Sequence, residues 1–357
     1  MAAWPLLAAQ AAAGADVTLL VRGGLDQAGQ AEAERAGVTV VPATRRFLDS
    51  QSPAGVAAVA RIQPDVAHLH SVFIPAHAQI ARQLRRLGIP YLLSPHGGLN
   101  LWRGRVKKAV YGAVAEKSYF RSADTIFVLT QQEQQIIAGW LGPRGKSLRY
   151  RELPNSIPAL SSSDASWVVP ERPRLVYLGR FDVIKKGLDR LVEIARLMPD
   201  VQVQAYGAAS TAERPEFERL CRRGLPGNFT FLDPVYGEAK VSALTEATIY
   251  VQPSRDEGFG MAIVEAMRCG VPVALTEDCA LAPVIAGGDL GLPLPGDPAG
   301  AAAVLSAALK DLDRLGHWSQ AGREWTASIL SPERAAQATI STYQEALARA
   351  GGIRIRA

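Results

Sequence analysis

Three cysteines, five histidines, few aromatics and no apolar run of bilayer length exclude several classes of protein at the outset. Cys221, Cys269 and Cys279 are odd in number and widely spaced. They offer neither a disulfide framework nor a metal knuckle, so a reducing, cytoplasmic setting is expected. His68 and His70 fall on one face of a strand, with no third ligand at a telling spacing. They read as packing or pocket residues, and no metal site is expected. Aromatic residues make up 7%, with no motif that interleaves bases with aromatics. No nucleic-acid partner is therefore expected. The longest apolar stretches, at 17–21, 176–178 and 301–305, stop far short of the roughly 20 residues a membrane helix needs. The opening residues lack the basic start of a secretory signal.

What is present suits a globular protein with a large core. Hydrophobic residues make up 48% and charged residues 20% of 357 positions, a length of two or three domains at roughly 100–200 residues each. The net charge of +5 is unevenly spread: residues 1–160 carry a balance of +8 and residues 161–357 one of −3. A basic half beside a faintly acidic one suggests two domains, of which the first meets something anionic.

Both halves alternate short β-branched runs with helical spacing. Strands are expected at 17–21, 38–41, 65–70, 91–93 and 125–129, and again at 174–178, 201–206, 248–252 and 271–275. Ile80, Leu84 and Leu87 make a helical stripe closed by Gly88 and Pro90, and Leu188, Leu191, Ile194, Ala195 and Met198 make another. Strands separated by helical segments of 10–20 residues argue for βαβ units and parallel sheets. Pro154, Pro158, Pro170, Pro173 and a serine run at 161–163 give the middle a linker composition. The expected division is an N-terminal Rossmann-like domain over 1–155, a linker over 156–173 and a C-terminal one over 174–330. The segment 331–357, opened by Ser331 as N-cap and Pro332 at the first helical position, is expected to pack back on the first domain.

Two stretches carry chemistry. After the strand ending at Gln252, Glu257, Gly258, Phe259 and Gly260 form a glycine-containing loop before a short helix that bears Glu265. Such glycines admit a ligand close to the backbone, and the helix start presents free amides to a phosphate. Taken alone, the two glutamates would read as a dipole complement and a surface acid. Gly179-Arg180 follows the strand at 174–178, and Lys186-Gly187 enters the next helix. Two fixed cations at a strand's carboxyl end can neutralise a diphosphate without a metal, although alone they would read as a solvated helix entry.

Together these residues resemble the retaining GT-B glycosyltransferases of family 4, the group 1 superfamily. The carriers are Glu257 and Glu265 as its Glu-x7-Glu signature, the Ala266 to Val273 wording behind it, and Gly179-Arg180 with Lys186-Gly187. Ser94-Pro95-His96-Gly97 is similar to its histidine loop, and the 123–130 and 154–157 stretches to its later landmarks. The resemblance implies two doubly wound α/β domains across a cleft. It implies a nucleotide-sugar donor, a sugar, lipid-linked or polyol hydroxyl acceptor, no cofactor and no metal, in polysaccharide, lipopolysaccharide or glycolipid synthesis. Arg180 and Lys186 would hold the diphosphate, and Glu265 the ribose. Glu257 with the amides near Gly258, Phe259 and Gly260 would hold the sugar, and His96 would face the sugar. Front-face substitution is favoured, and double displacement through a carboxylate stays open.

Where the family begins with a strand and a glycine-rich loop, residues 1–14 already read as helix, so the first strand of the N-terminal domain is expected to be missing. That departure motivates an alternative, a catalytically degenerate relative that binds a nucleotide or a partner. An epimerase on the same scaffold fits the glutamate signature less well. Trp102, Arg103, Arg105, Lys107 and Lys108 cluster before an apolar stripe. They are weighed as an acceptor-side contact with an anionic membrane surface, peripheral on its inner face, against a plain solvated helix.

Overall fold

The computed structural model describes residues 3–44, 53–99, 116–157 and 167–351. The chain forms two compact units, Met1–Pro158 with Ser331–Ala357, and Ala159–Leu330. Each is an α/β body built on parallel sheets.

In the first unit, helix α1 (Trp4–Ala12) opens the described chain. Strands β1 (Val17–Arg22) and β2 (Val38–Thr44) pair in parallel as a sheet of their own, with α2 (Gln27–Arg35) between them in sequence. A second parallel sheet has the order β3 (Ala67–His70), β4 (Tyr91–Ser94), β5 (Thr125–Val128) and β6 (Tyr150–Glu152). Leu20 of β1 packs against the core of this second sheet. Helices α3 (Pro53–Ile62), α4 (Pro75–Arg86), α5 (Lys117–Ser122) and α6 (Gln131–Leu141) belong to the same unit. The stripe read on α4 is a core face, since Ile80 and Leu84 are buried and Gly88 ends the helix at φ +68°.

The second unit holds a six-stranded parallel sheet of order β12-β11-β10-β7-β8-β9. Its strands are β7 (Arg174–Leu178), β8 (Gln202–Tyr206), β9 (Phe229–Leu232), β10 (Ile249–Gln252), β11 (Val273–Thr276) and β12 (Leu292–Leu294). The helices are α7 (Leu188–Leu197), α8 (Arg214–Arg222), α9 (Gly237–Thr245), α10 (Met261–Arg268), α11 (Ala282–Gly287), α12 (Pro298–Ala308) and α13 (Leu312–Ile329). The chain starts in the middle of the sheet at β7, winds outward through β8 and β9, then returns to build β10 to β12 on the other side. The reversal lies between β7 and β10, and open α/β sheets bind ligands at the carboxyl ends of the strands at such a point. Trp167, before Pro170 and Pro173, donates from its indole to the Ala247 carbonyl at 2.7 Å.

The last helix, α14 (Pro332–Arg349), belongs to the first unit. Ser331 caps it, accepting from the Arg334 amide at 3.1 Å. Gln10 of α1 donates to Thr339 Oγ1 at 2.7 Å and to Tyr343 Oη at 3.0 Å, and Arg349 pairs with Asp124 at 2.6 Å. These polar ties, with Leu6, Ala335 and Ala336 buried together, clamp both ends of the unit.

Candidate active site

Four of the side chains singled out by sequence, Arg180, Lys186, Glu257 and Glu265, line one cavity of about 430 Å³ in the second unit. It lies where the sheet order reverses, with Leu178 and Gly179 from the end of β7 and Gln252 from the end of β10 on its wall. Two glycines are obligatory there. Gly187 precedes α7 at φ +68°, and a Cβ on it would lie 1.9 Å from the Pro253 carbonyl oxygen. Gly260 precedes α10 at φ +76°, and a Cβ would lie 2.4 Å from Ile263 Cδ1 and 3.1 Å from Glu257 Cγ. A side chain at either place would need both the left-handed backbone and space that is already filled. Gly260 thereby leaves the first amides of α10 on the cavity wall, where a helix start favours an anion.

Each charged group in the cavity has a partner of opposite sign. Lys186 Nζ lies 2.5 Å from Glu257 Oε2, with both side chains 14% exposed. Lys240 Nζ lies 2.8 Å from Glu265 Oε1, with both about one-third exposed. Arg180 reaches outward and pairs at 3.2 Å with Glu213, whose buried carboxylate also accepts from the Ser210 amide at 3.0 Å. A cation and a carboxylate held side by side offer both hydrogen-bond polarities to a ligand that carries phosphate and hydroxyl groups. Of the 257–260 loop, Glu257 and Gly260 line the cavity, whereas Gly258 and the buried Phe259 are not among its lining residues. Burial of the neighbouring Cys279 thiol pushes its pKa up to about 12, which keeps it neutral.

Sequence reasoning missed Lys240, Glu213 and the rim tyrosine Tyr236, which is 79% exposed at the edge of the cavity. Lys240 stands 25 residues from its partner and Glu213 stands 33 from Arg180. No local spacing could have flagged either, because the crossovers of the sheet bring them together.

His96 lies in the first unit, on the loop after β4, with φ +53°. The loop is pinned by Glu133, whose carboxylate accepts from the Gly97 amide at 2.6 Å and the Leu129 amide at 2.7 Å. Burial raises the pKa of Glu133, and those two amide bonds oppose the shift. Burial lowers the pKa of His96, against the raising effect of its bond to Asn155, so the ring is neutral. His68 is also neutral, its pKa lowered to about 3 by burial and by His96 nearby. Tyr343 Oη, which accepts from Gln10, lies 2.7 Å from His68 Nδ1, and Ser94 Oγ lies 2.7 Å from its Nε2. Of the packing and pocket readings, these contacts suit packing, with His68 a bolt between α14 and the sheet. Trp102, Arg103, Arg105, Lys107 and Lys108 lie outside the described residues. Among the described residues, no group of three or more His, Cys, Asp or Glu side chains is arranged to hold a metal ion.

Two family models match the chain: "Glycosyl transferase 4-like domain" over residues 2–155 and "Glycosyl transferases group 1" over residues 172–311. The chain belongs to the group 1 glycosyltransferases. Among curated relatives, it is 35% identical over 170 residues to a phosphatidyl-myo-inositol mannosyltransferase of Mycolicibacterium smegmatis, a match covering 45% of this chain and 43% of that protein. It is 30% identical over 220 residues to a D-inositol 3-phosphate glycosyltransferase of Corynebacterium jeikeium, covering 56% and 52% respectively. The matched region thus spans about half or less of these relatives. Among solved structures, a sucrose-phosphate synthase from Thermosynechococcus elongatus superposes with a TM-score of 0.76 at 24% identity, covering 96% of this chain and 92% of that one. The Anabaena protein HepE in complex with UDP gives 0.75 at 19%, covering 96% and 95%. These likenesses establish the α/β fold, two Rossmann-like domains of GT-B type, for this group 1 chain.

Proposed function

We propose that this group 1 protein transfers a sugar from a nucleotide-sugar donor to a hydroxyl acceptor, with retention at the anomeric carbon and without a metal. The observation that carries the reading is the gathering of Arg180, Lys186, Glu257 and Glu265 on one cavity wall at the point where the sheet order reverses. Arg180 and Lys186 are assigned to the donor diphosphate, whose charge grows as it leaves. Glu265 is assigned to the ribose, and Glu257 to the sugar hydroxyls together with the backbone of Gly258, Phe259 and Gly260. The family resemblance also assigns His96 a role toward the sugar.

In the front-face course, the bond from the anomeric carbon to the phosphate oxygen breaks and its electron pair stays on the phosphate. The acceptor oxygen bonds the same face of that carbon, and its proton passes to the departing phosphate. No enzyme carboxylate need become covalently attached, and the fixed charges stabilise the separated ions.

The curated relatives carry names of enzymes acting on inositol-containing acceptors. With the basic balance of residues 1–160, they support a polyol or lipid-borne acceptor and a peripheral place on an anionic membrane face. Among the described residues no helix is long and apolar enough to cross a membrane. The test is nucleoside diphosphate release from a panel of nucleotide sugars with inositol, inositol phosphate and phosphatidylinositol as acceptors, with and without chelator. Acceptor-stimulated release that survives chelation supports the proposal, and release that requires manganese contradicts its metal-free part.

A further inference from the structure

The loops that follow the adjacent parallel strands β3 and β4 are held against each other by unusual means. Ser71 and Phe73 after β3 adopt φ +75° and +58°, and His96 after β4 adopts φ +53°. Left-handed backbone costs a side-chain-bearing residue stability, and it persists where surrounding contacts enforce it. The contacts here are specific. The Ser71 amide donates to the Ser94 carbonyl at 2.8 Å, and a Cβ on Gly98 would meet Val72 Cγ2 at 2.7 Å.

Across this junction runs a chain of side chains. His96 Nδ1 lies 2.8 Å from Asn155 Oδ1, and His96 Nε2 lies 2.9 Å from His70 Nδ1. The two rings lie edge to edge and nearly coplanar, with centroids 5.2 Å apart and 14° between planes, as an in-plane bond between ring nitrogens requires. An amide oxygen can only accept, so His96 carries its proton on Nδ1. Nε2 of the neutral ring is then a lone pair, which only a donor can satisfy. That donor is Nδ1–H of His70. Both ring nitrogens of His96 are therefore used within the unit, and its loop has its backbone left for a ligand.

We propose that His70 is a positioning residue: by donating to His96 Nε2 it fixes the tautomer of His96 and, through it, the left-handed turn of the 94–98 loop. This rests on the transferase reading for its kinetic consequence and on geometry alone for the tautomer. Asparagine and aspartate test it, because both place a polar atom near the position of His Nδ1, asparagine a donor and aspartate an acceptor.

In His70→Asn the link is retained, and kcat falls less than about fivefold. In His70→Asp, of nearly the same size, the acceptor demands a proton on His96 Nε2, and kcat falls roughly 10- to 100-fold, the scale of loss when the partner orienting a functional histidine is removed. The KM for the donor changes little, because the cavity in the second unit is untouched. Nitrogen-15 spectra of histidine-labelled protein, with five residues to assign, read the tautomer directly. Wild type and His70→Asn show a neutral His96 protonated on Nδ1 alone, and His70→Asp shows a proton on Nε2. A wild-type spectrum with the proton on Nε2, or equal kcat in the Asn and Asp variants, overturns the proposal. A wild type that turns over no donor overturns the transferase reading, while the spectra still decide this inference.

Discussion

Replacing Lys186 with alanine separates what the lysine does for the fold from what it does for a ligand. Its ammonium lies 2.5 Å from Glu257, and both side chains are 14% exposed. At an effective dielectric near 20, unit charges at that distance attract by about 7 kcal/mol, most of which is spent in desolvating them. Removing one partner leaves the other charge unpaired in a half-enclosed cavity, for which a loss of about 2–4 kcal/mol in unfolding free energy is expected. The double variant Lys186→Ala/Glu257→Gln removes the stranded charge and should recover most of that loss, because a neutral amide in the same place needs no counter-ion. Binding should behave differently. A nucleoside diphosphate loses a cation in both variants, so its affinity should fall by about 2–4 kcal/mol, roughly 30- to 1,000-fold, and stay low in the double variant. Urea unfolding measures the first quantity and titration calorimetry with UDP, GDP and ADP the second. If the double variant regains both stability and affinity, Lys186 serves only to neutralise Glu257, and its assignment to the diphosphate is wrong.

Glu265→Ala should weaken binding of the free nucleoside diphosphate, whereas Glu257→Ala should spare it and depress turnover; equal losses of nucleotide affinity in calorimetry would defeat this division. Gly187→Ala should cost at least about 3 kcal/mol, from its φ of +68° and a clash 1.9 Å from the Pro253 carbonyl, and a melting temperature within a degree or so of wild type would contradict it. Tyr343→Phe deletes the hydroxyl shared by Gln10 and His68 and should cost about 1–3 kcal/mol by urea unfolding; no change would show the network to be incidental. His68, His70 and His96 have folded pKa values held below the ordinary 6.5 by burial first. Below about pH 6.5 the unfolded chain binds protons that the folded chain refuses, so stability should fall as pH drops, by up to about 1.4 kcal/mol per pH unit for each such ring. Urea midpoints that are flat between pH 7.5 and 5 would refute it.

The fold was legible where periodicity is local. The stripe of Leu188, Leu191, Ile194 and Ala195 is a buried helix face, and Ser331 with Pro332 opens α14 as its capping chemistry requires. The loop from Glu257 to Gly260 stands out because its glycines and carboxylates are contiguous. Partners contributed by distant strands were not legible. Lys240 meets Glu265, and Glu213 meets Arg180, only because parallel crossovers set their helices beside the ends of β7 and β10. His70 was visible as a strand residue two places from His68. Its bond to His96 depends on the register that sets His70 opposite Ser94, two residues before His96. Sequence spacing does not encode that register.

The central claim is that the cavity in the second unit works on a nucleotide sugar for transfer, and the anomeric outcome of one turnover tests it most directly. Donor carrying a carbon-13 label at the anomeric carbon, incubated with the acceptor that stimulates release, should yield a product whose anomeric proton–carbon coupling matches that of the donor. The same signal should grow far more slowly with Glu257→Ala. A product of inverted configuration, or equal product formation by the wild type and Glu257→Ala, would contradict the account.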